Sequence, residues 1–157
     1  QDHGESLYRR SLYTFWRRII APTMFFDSAS RQVCTVKQPR TNSPLHALAT
    51  LDDITYVEAG RALAERVLLA ARQSAGDPIE LAFRLVLARQ PTSDEARVLS
   101  GMIDRLKAEF TADPEAARKV LNVGESKRAA QLDVIEHAAY AGACTAILNL
   151  DEALTKE

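Results

Sequence analysis

Apolar residues recur every three or four positions along most of this chain, and their spacing marks out a succession of helices. The first is expected from Ser6 to about Ile20. Leu7, Leu12, Phe15, Trp16 and Ile19 supply its apolar positions, and Arg9, Arg10, Arg17 and Arg18 fill others. Pro22 ends it, because proline lacks the amide donor and disfavours helix at the residue before it. From Ala21 to Ser43 no helical period is present, and β-branched Val33, Thr35 and Val36 suit a short extended piece. A long irregular loop, about 21–43, is uncommon in a compact domain and is usually functional or pinned by packing.

Helices then follow closely. Asn42 or Ser43 is placed to cap a short one with Pro44 in its first turn, where a missing amide donor costs nothing. Asp52 or Asp53 starts a longer one to about Ser74, with Val57, Gly60, Ala64, Val67, Leu68 and Ala71 on one face. Gly76, Asp77 and Pro78 read as a stop followed by a start, and Ile79 to Ala88 as a short, strongly apolar core helix. Thr92 and Glu95 have capping-box spacing ahead of Leu99, Met102, Ile103, Leu106 and Phe110. Asp113-Pro114-Glu115 opens a helix that ends near Asn122 and Gly124. The last helix is expected from about Lys127 to Leu154, with Ile135, Ala139, Gly142, Ala146 and Leu150 forming a small-residue seam. The pattern predicts an all-α, single-domain bundle of about six helices over residues 1–157, without internal repeats.

Composition narrows the class further. A length of 157 residues fits one domain, and 46% hydrophobic with 26% charged residues excludes disordered and fibrous chains. No apolar run reaches the roughly 18–20 residues that a membrane span needs. No basic stretch leads into an apolar signal-like run. The chain begins at Gln1 and is read as a C-terminal fragment of a larger protein. Residues 1–40 carry seven Lys/Arg against three Asp/Glu, whereas the rest carries 13 against 18. A basic end on an acidic body can steer an anionic partner, and it can equally reflect ordinary solvated helix faces. The overall pI of 6.4 and the lack of a nucleic-acid motif argue against nucleic acid as that partner.

The candidate chemistry is concentrated between Asp27 and His46. Cys34 lies between Arg31 and Lys37, and nearby cations lower a thiol pKa. With His46 as base it would be a nucleophile; buried or bridged to Cys144, it would be structural. Arg31 and Arg40 suit ties to Asp27, Asp52 or helix-end carbonyls through several directed donors. Asp52 and Asp53 suit helix capping better than paired-carboxylate catalysis. The three histidines, His3, His46 and His137, share no metal-ligand spacing, and neither cysteine sits in a haem-attachment motif. No phosphate loop or nucleophile elbow is present. No metal, catalytic residue or cofactor is therefore assigned to this chain.

Four blocks, YRRSLYTFWRR, FFDSASRQVCTVKQPRTNSPLHAL, VEAGRALAERV and ILNLDEAL, give the chain its individuality. In these blocks and their order it resembles the domain of unknown function 1553 family, from Leu7 to Leu154. Lys37-Gln38 stands where two arginines are frequent in that family, and His46 where glutamine is frequent. The resemblance implies a planctomycete-specific C-terminal domain of large exported proteins. Such proteins carry upstream domains and often a cytochrome c domain or a carbohydrate-binding-like sandwich. Haem c would belong to those other domains, as would contact with polysaccharide, and the location implied is extracytoplasmic. Export would favour a Cys34–Cys144 disulfide. The family supplies no catalytic residue.

Three readings stay open from the sequence. In one the chain is a non-catalytic packing and interaction module whose partners are the upstream domains of its own polypeptide. In another, Asp27, Arg31, Cys34, Arg40, Asn42 and His46 form one wall of an enzyme or glycan site shared with an upstream domain. A third places His46 or Met24 as axial ligand to a haem held elsewhere.

Overall fold

A computed structural model describes residues 4–8, 44–74 and 76–154; within these, nothing is said of the side chains of Ser6, Leu7 and His46. Every regular element among the described residues is helical. A 3-10 turn spans Gly4–Tyr8. Seven α-helices follow: α1 (Pro44–Asp52), α2 (Ile54–Ser74), α3 (Pro78–Leu87), α4 (Ser93–Ala112), α5 (Pro114–Leu121), α6 (Val134–Leu148) and α7 (Asp151–Leu154). The α-helix expected from Ser6 starts instead as this tighter turn; its remainder, and the loop 21–43, lie outside the described residues.

Asn42 and Ser43, expected to cap α1, lie outside the described residues, and the other expected caps form as side-chain chemistry dictates. α1 begins at Pro44, and α2 is capped by Asp53, whose Oδ1 accepts from the Thr55 amide at 2.8 Å. Asp52 belongs to the last turn of α1. Asp77 caps α3 by accepting from the Ile79 amide, with Pro78 in the first turn. Thr92 and Glu95 close the capping box, the Thr92 amide donating to Glu95 Oε2 at 2.7 Å. Asp113 and Asp133 cap α5 and α6 by accepting from the Ala116 and Glu136 amides. Ala88 ends α3 in the left-handed region at φ 57°, where glycine would be the unstrained residue.

One expectation fails at the C-terminal end. The helix drawn from Lys127 to Leu154 starts only at Val134, and Asn149 breaks it before the single turn of α7. Residues 122–133 are irregular because their backbone groups are taken by side chains of α2, as described below.

α6 is the central helix and lies against α2, α4 and α5, with α3 at its side. Ala64 and Val67 of α2, Ile79, Ala82 and Phe83 of α3, Leu99 and Ile103 of α4, and Ala139, Ala143, Cys144 and Ile147 of α6 form the core. Ala117 and Leu121 of α5 meet Ala138 in a second cluster, and Phe110 joins the two. Small residues set the close approach of α2 and α6: a Cβ on Gly60 would lie 3.2 Å from Thr145 Cα and collide with Thr145 Oγ1. Of the predicted seam, Ala139 is buried, and Gly142 packs against Leu106 of α4. Cys144 is a free thiol within this core, pushed up to about 12 by burial. Cys34, its partner in the expected bridge, lies outside the described residues.

Candidate functional site

The VEAGRALAERV block lies within α2, and two of its charged residues, Glu58 and Arg61, are buried. Glu58, Arg61, Glu65 and Arg72 fall at intervals of three, four and seven, which places them along one side of the helix. That side is crossed by the irregular segment 122–133. Arg61, 1% exposed, donates through Nη2 to the Ser126 carbonyl at 2.9 Å, to Ser126 Oγ, and to Glu58 Oε1 at 3.5 Å. Glu58 Oε1 also accepts from the Ser126 amide at 2.6 Å and from the Tyr8 hydroxyl at 2.9 Å. Further along, Glu65 Oε2 accepts from the Ala129 amide at 2.9 Å, and Arg72 Nη1 donates to the Gln131 carbonyl at 3.1 Å. Arg72 also pairs with Glu136 at 3.2 Å.

Each of these contacts satisfies a backbone or carboxylate group that a structureless segment would otherwise leave unpaired. Gly124 permits the approach: at φ 89° it occupies a conformation that suits glycine, and any Cβ there would run into the Glu58 carboxylate.

The electrostatics follow from this enclosure. Burial pushes the Glu58 carboxyl up, but the donors from Ser126, Tyr8 and Glu125 outweigh it, and the group is held below the usual carboxylate range. The hydrogen bond to Glu58 raises Tyr8, because the phenol already donates to a carboxylate. His137 of α6 is fully buried, with Nε2 3.1 Å from the Arg61 carbonyl. A carbonyl can only accept, so Nε2 carries a proton. Burial holds its pKa below the ordinary value. Its Nδ1, like Arg61 Nε, is buried without a partner among the described residues. An imidazole with no exposed surface has no route to a substrate, so the cluster Glu58–Arg61–His137 acts as a clamp rather than as acid–base machinery.

A groove of about 350 Å³ opens beside the clamp, lined by Arg61, Ala62, Glu65, Arg66 and Leu69 of α2 and by Ser126 and Lys127. A second polar tie stands at the far end of the bundle. Arg89 lies over the Phe83 ring and pairs with Glu95 at 2.7 Å and Glu152 at 2.8 Å, joining α4 to α7. Its hydrogen bonds hold Glu95 down at about 2 and lower Glu152.

The residues singled out in the sequence are mostly elsewhere. Asp27, Arg31, Cys34, Arg40 and Asn42 lie outside the described residues, as does Met24. His46 lies in the first turn of α1. The clamp was missed because Glu58, Arg61 and Glu65 read as a solvated helix face; their alignment beside Gly60 and Ala64 is the signal that marks them. Among the described residues no three His, Cys, Asp or Glu side chains gather as metal ligands would, and no helix is long and apolar enough to cross a membrane.

No curated protein and no solved structure matches the chain. A family model does, over residues 1–103, so the blocks up to VEAGRALAERV lie within the match and ILNLDEAL lies beyond it. With the greater part of its length covered, the chain belongs to the PSD1 family, protein of unknown function (DUF1553).

Proposed function

We propose that this chain is a non-catalytic helical packing and interaction module of a larger exported polypeptide, and that α1 is the surface on which upstream domains of that polypeptide dock. The observation that carries this is the outer face of α1. Leu45, Leu48 and Leu51, with Ile54 at the start of α2, are 63%, 61%, 48% and 63% exposed. Leu45, Leu48 and Ile54 border a shallow groove shared with Ala49, Asp52 and Asp53. The opposite face of α1 is held by Thr50, which donates to Asn149 Oδ1 at the end of α6. One side is therefore anchored in the bundle while the other presents contiguous leucines, which marks an interaction surface. Leu45 and Leu48 stand in the SPLHAL end of the longest family block, which supports an occupant from the same polypeptide. Covering the four side chains would contribute about 4 kcal/mol. The extracytoplasmic location, and a role beside electron transfer or polysaccharide handling, rest on the family resemblance.

Replacing Leu45 and Leu48 by aspartate tests the proposal. In the full polypeptide the double variant should melt lower and become open to proteolysis next to α1, whereas the isolated 157-residue chain should melt as before. Unchanged melting and proteolysis of the full polypeptide would rule out α1 as the docking surface.

A further inference from the structure

The groove beside the clamp is separate from the α1 face and is unused by the packing role. Ala62, Arg66 and Leu69 are spaced four and three apart, on one side of α2, and Lys127 faces them from the irregular segment. Arg66 and Lys127 are exposed, and among the described residues neither meets a carboxylate. Arg61 closes the inner end; among the described residues its three hydrogen bonds leave from Nη2, and its buried Nε finds no acceptor. Three cations thus border a space of about 350 Å³ whose floor is Ala62 and Leu69. Among the described residues Glu65 is the single carboxylate that lines it, and its Oε2 is already engaged by the Ala129 amide. On a chain body where acidic residues outnumber basic ones, this is a local reversal of sign.

We propose that this groove binds a small organic acid. Its anionic group, a carboxylate, sulfate or phosphate ester, pairs with Arg66 and Lys127, and its apolar body lies over Ala62 and Leu69. A guanidinium and an ammonium at one rim suit an oxyanion, and the apolar floor favours a ligand with a hydrocarbon body over an inorganic ion.

The test is a titration of the 157-residue chain with sodium benzoate, benzenesulfonate, phenyl phosphate and acetate at fixed ionic strength, followed by backbone amide NMR. Saturable shifts are expected at residues 61–69 and 126–127 for at least one aromatic acid, with acetate about tenfold weaker for want of the apolar contact. The order among the three aromatic acids identifies the anion preferred. Arg66→Gln with Lys127→Gln should weaken binding about tenfold, the sum of two partly exposed ion pairs. Glu65→Gln keeps an acceptor for the Ala129 amide and removes the repelling charge, so it should tighten binding. Shifts that never saturate, acetate binding as well as benzoate, or an equal loss in Lys119→Gln on α5 would overturn the proposal.

Discussion

Arg61 Nη2 and the Ser126 carbonyl, 65 residues apart in the chain, meet at 2.9 Å inside the fold. This bond and its neighbours hold a segment without secondary structure across the middle of the longest helix. Removing the guanidinium leaves the Ser126 carbonyl and a buried carboxylate short of donors. Arg61→Ala should lower unfolding free energy by about 3–5 kcal/mol, read from urea denaturation. Glu58→Gln keeps an oxygen to accept from Ser126 and Tyr8, so it should cost less, about 1–2 kcal/mol. Equal losses in the two variants would count against the clamp.

Gly60 sets the distance between α2 and α6. Gly60→Ala places a Cβ 3.2 Å from Thr145 Cα and against its hydroxyl, and should cost about 1–3 kcal/mol in spite of alanine's better helix propensity. Thr145→Ala in the same chain should restore part of that loss in a double-mutant cycle, because the backbone contact remains.

The pH dependence has two windows. His137 is neutral in the fold with its pKa depressed, so the unfolded chain takes up a proton that the folded chain refuses. Stability is therefore complete above the ordinary histidine value and falls as pH drops below about 6.5. His137→Gln should flatten this first fall in urea titrations between pH 7 and 5. The charges that face the ring are Glu65, Arg128 and Arg61. The second window belongs to Glu58, Glu95 and Glu152, whose lowered values give stability above the ordinary carboxylate range that is lost on acidification. For Glu95 the loss continues down to about 2.

Ala88 carries a left-handed conformation at the end of α3. Ala88→Gly should raise stability by about 1 kcal/mol, seen as a higher urea midpoint with unchanged slope. A loss on substitution would show that the turn is held differently.

The sequence made the helix starts legible because capping is local. Asp53, Asp77, Thr92 with Glu95, and Asp113 each act within three residues of their own position. It hid residues 127–133, whose composition suits a helix, because the competing hydrogen bonds come from Glu65 and Arg72, about 60 positions away. Asp133 could have been recognised as the true start of α6, since its Oδ1 accepts from the Glu136 amide in the usual capping manner. Of the candidate site, the polar loop drew attention by its motif density. The clamp escaped it because charged residues at helical spacing look the same whether they face water or a crossing segment.

The exposed face of α1 carries the central claim, and solvent protection at Leu48 tests it most directly. With cysteine placed at position 48 in an otherwise cysteine-free background, thiol labelling compares the isolated 157-residue chain with the full polypeptide. The packing role predicts rapid labelling of the isolated chain and strong protection in the full polypeptide, reversed when Leu45 is made aspartate. Equally rapid labelling in both would contradict it.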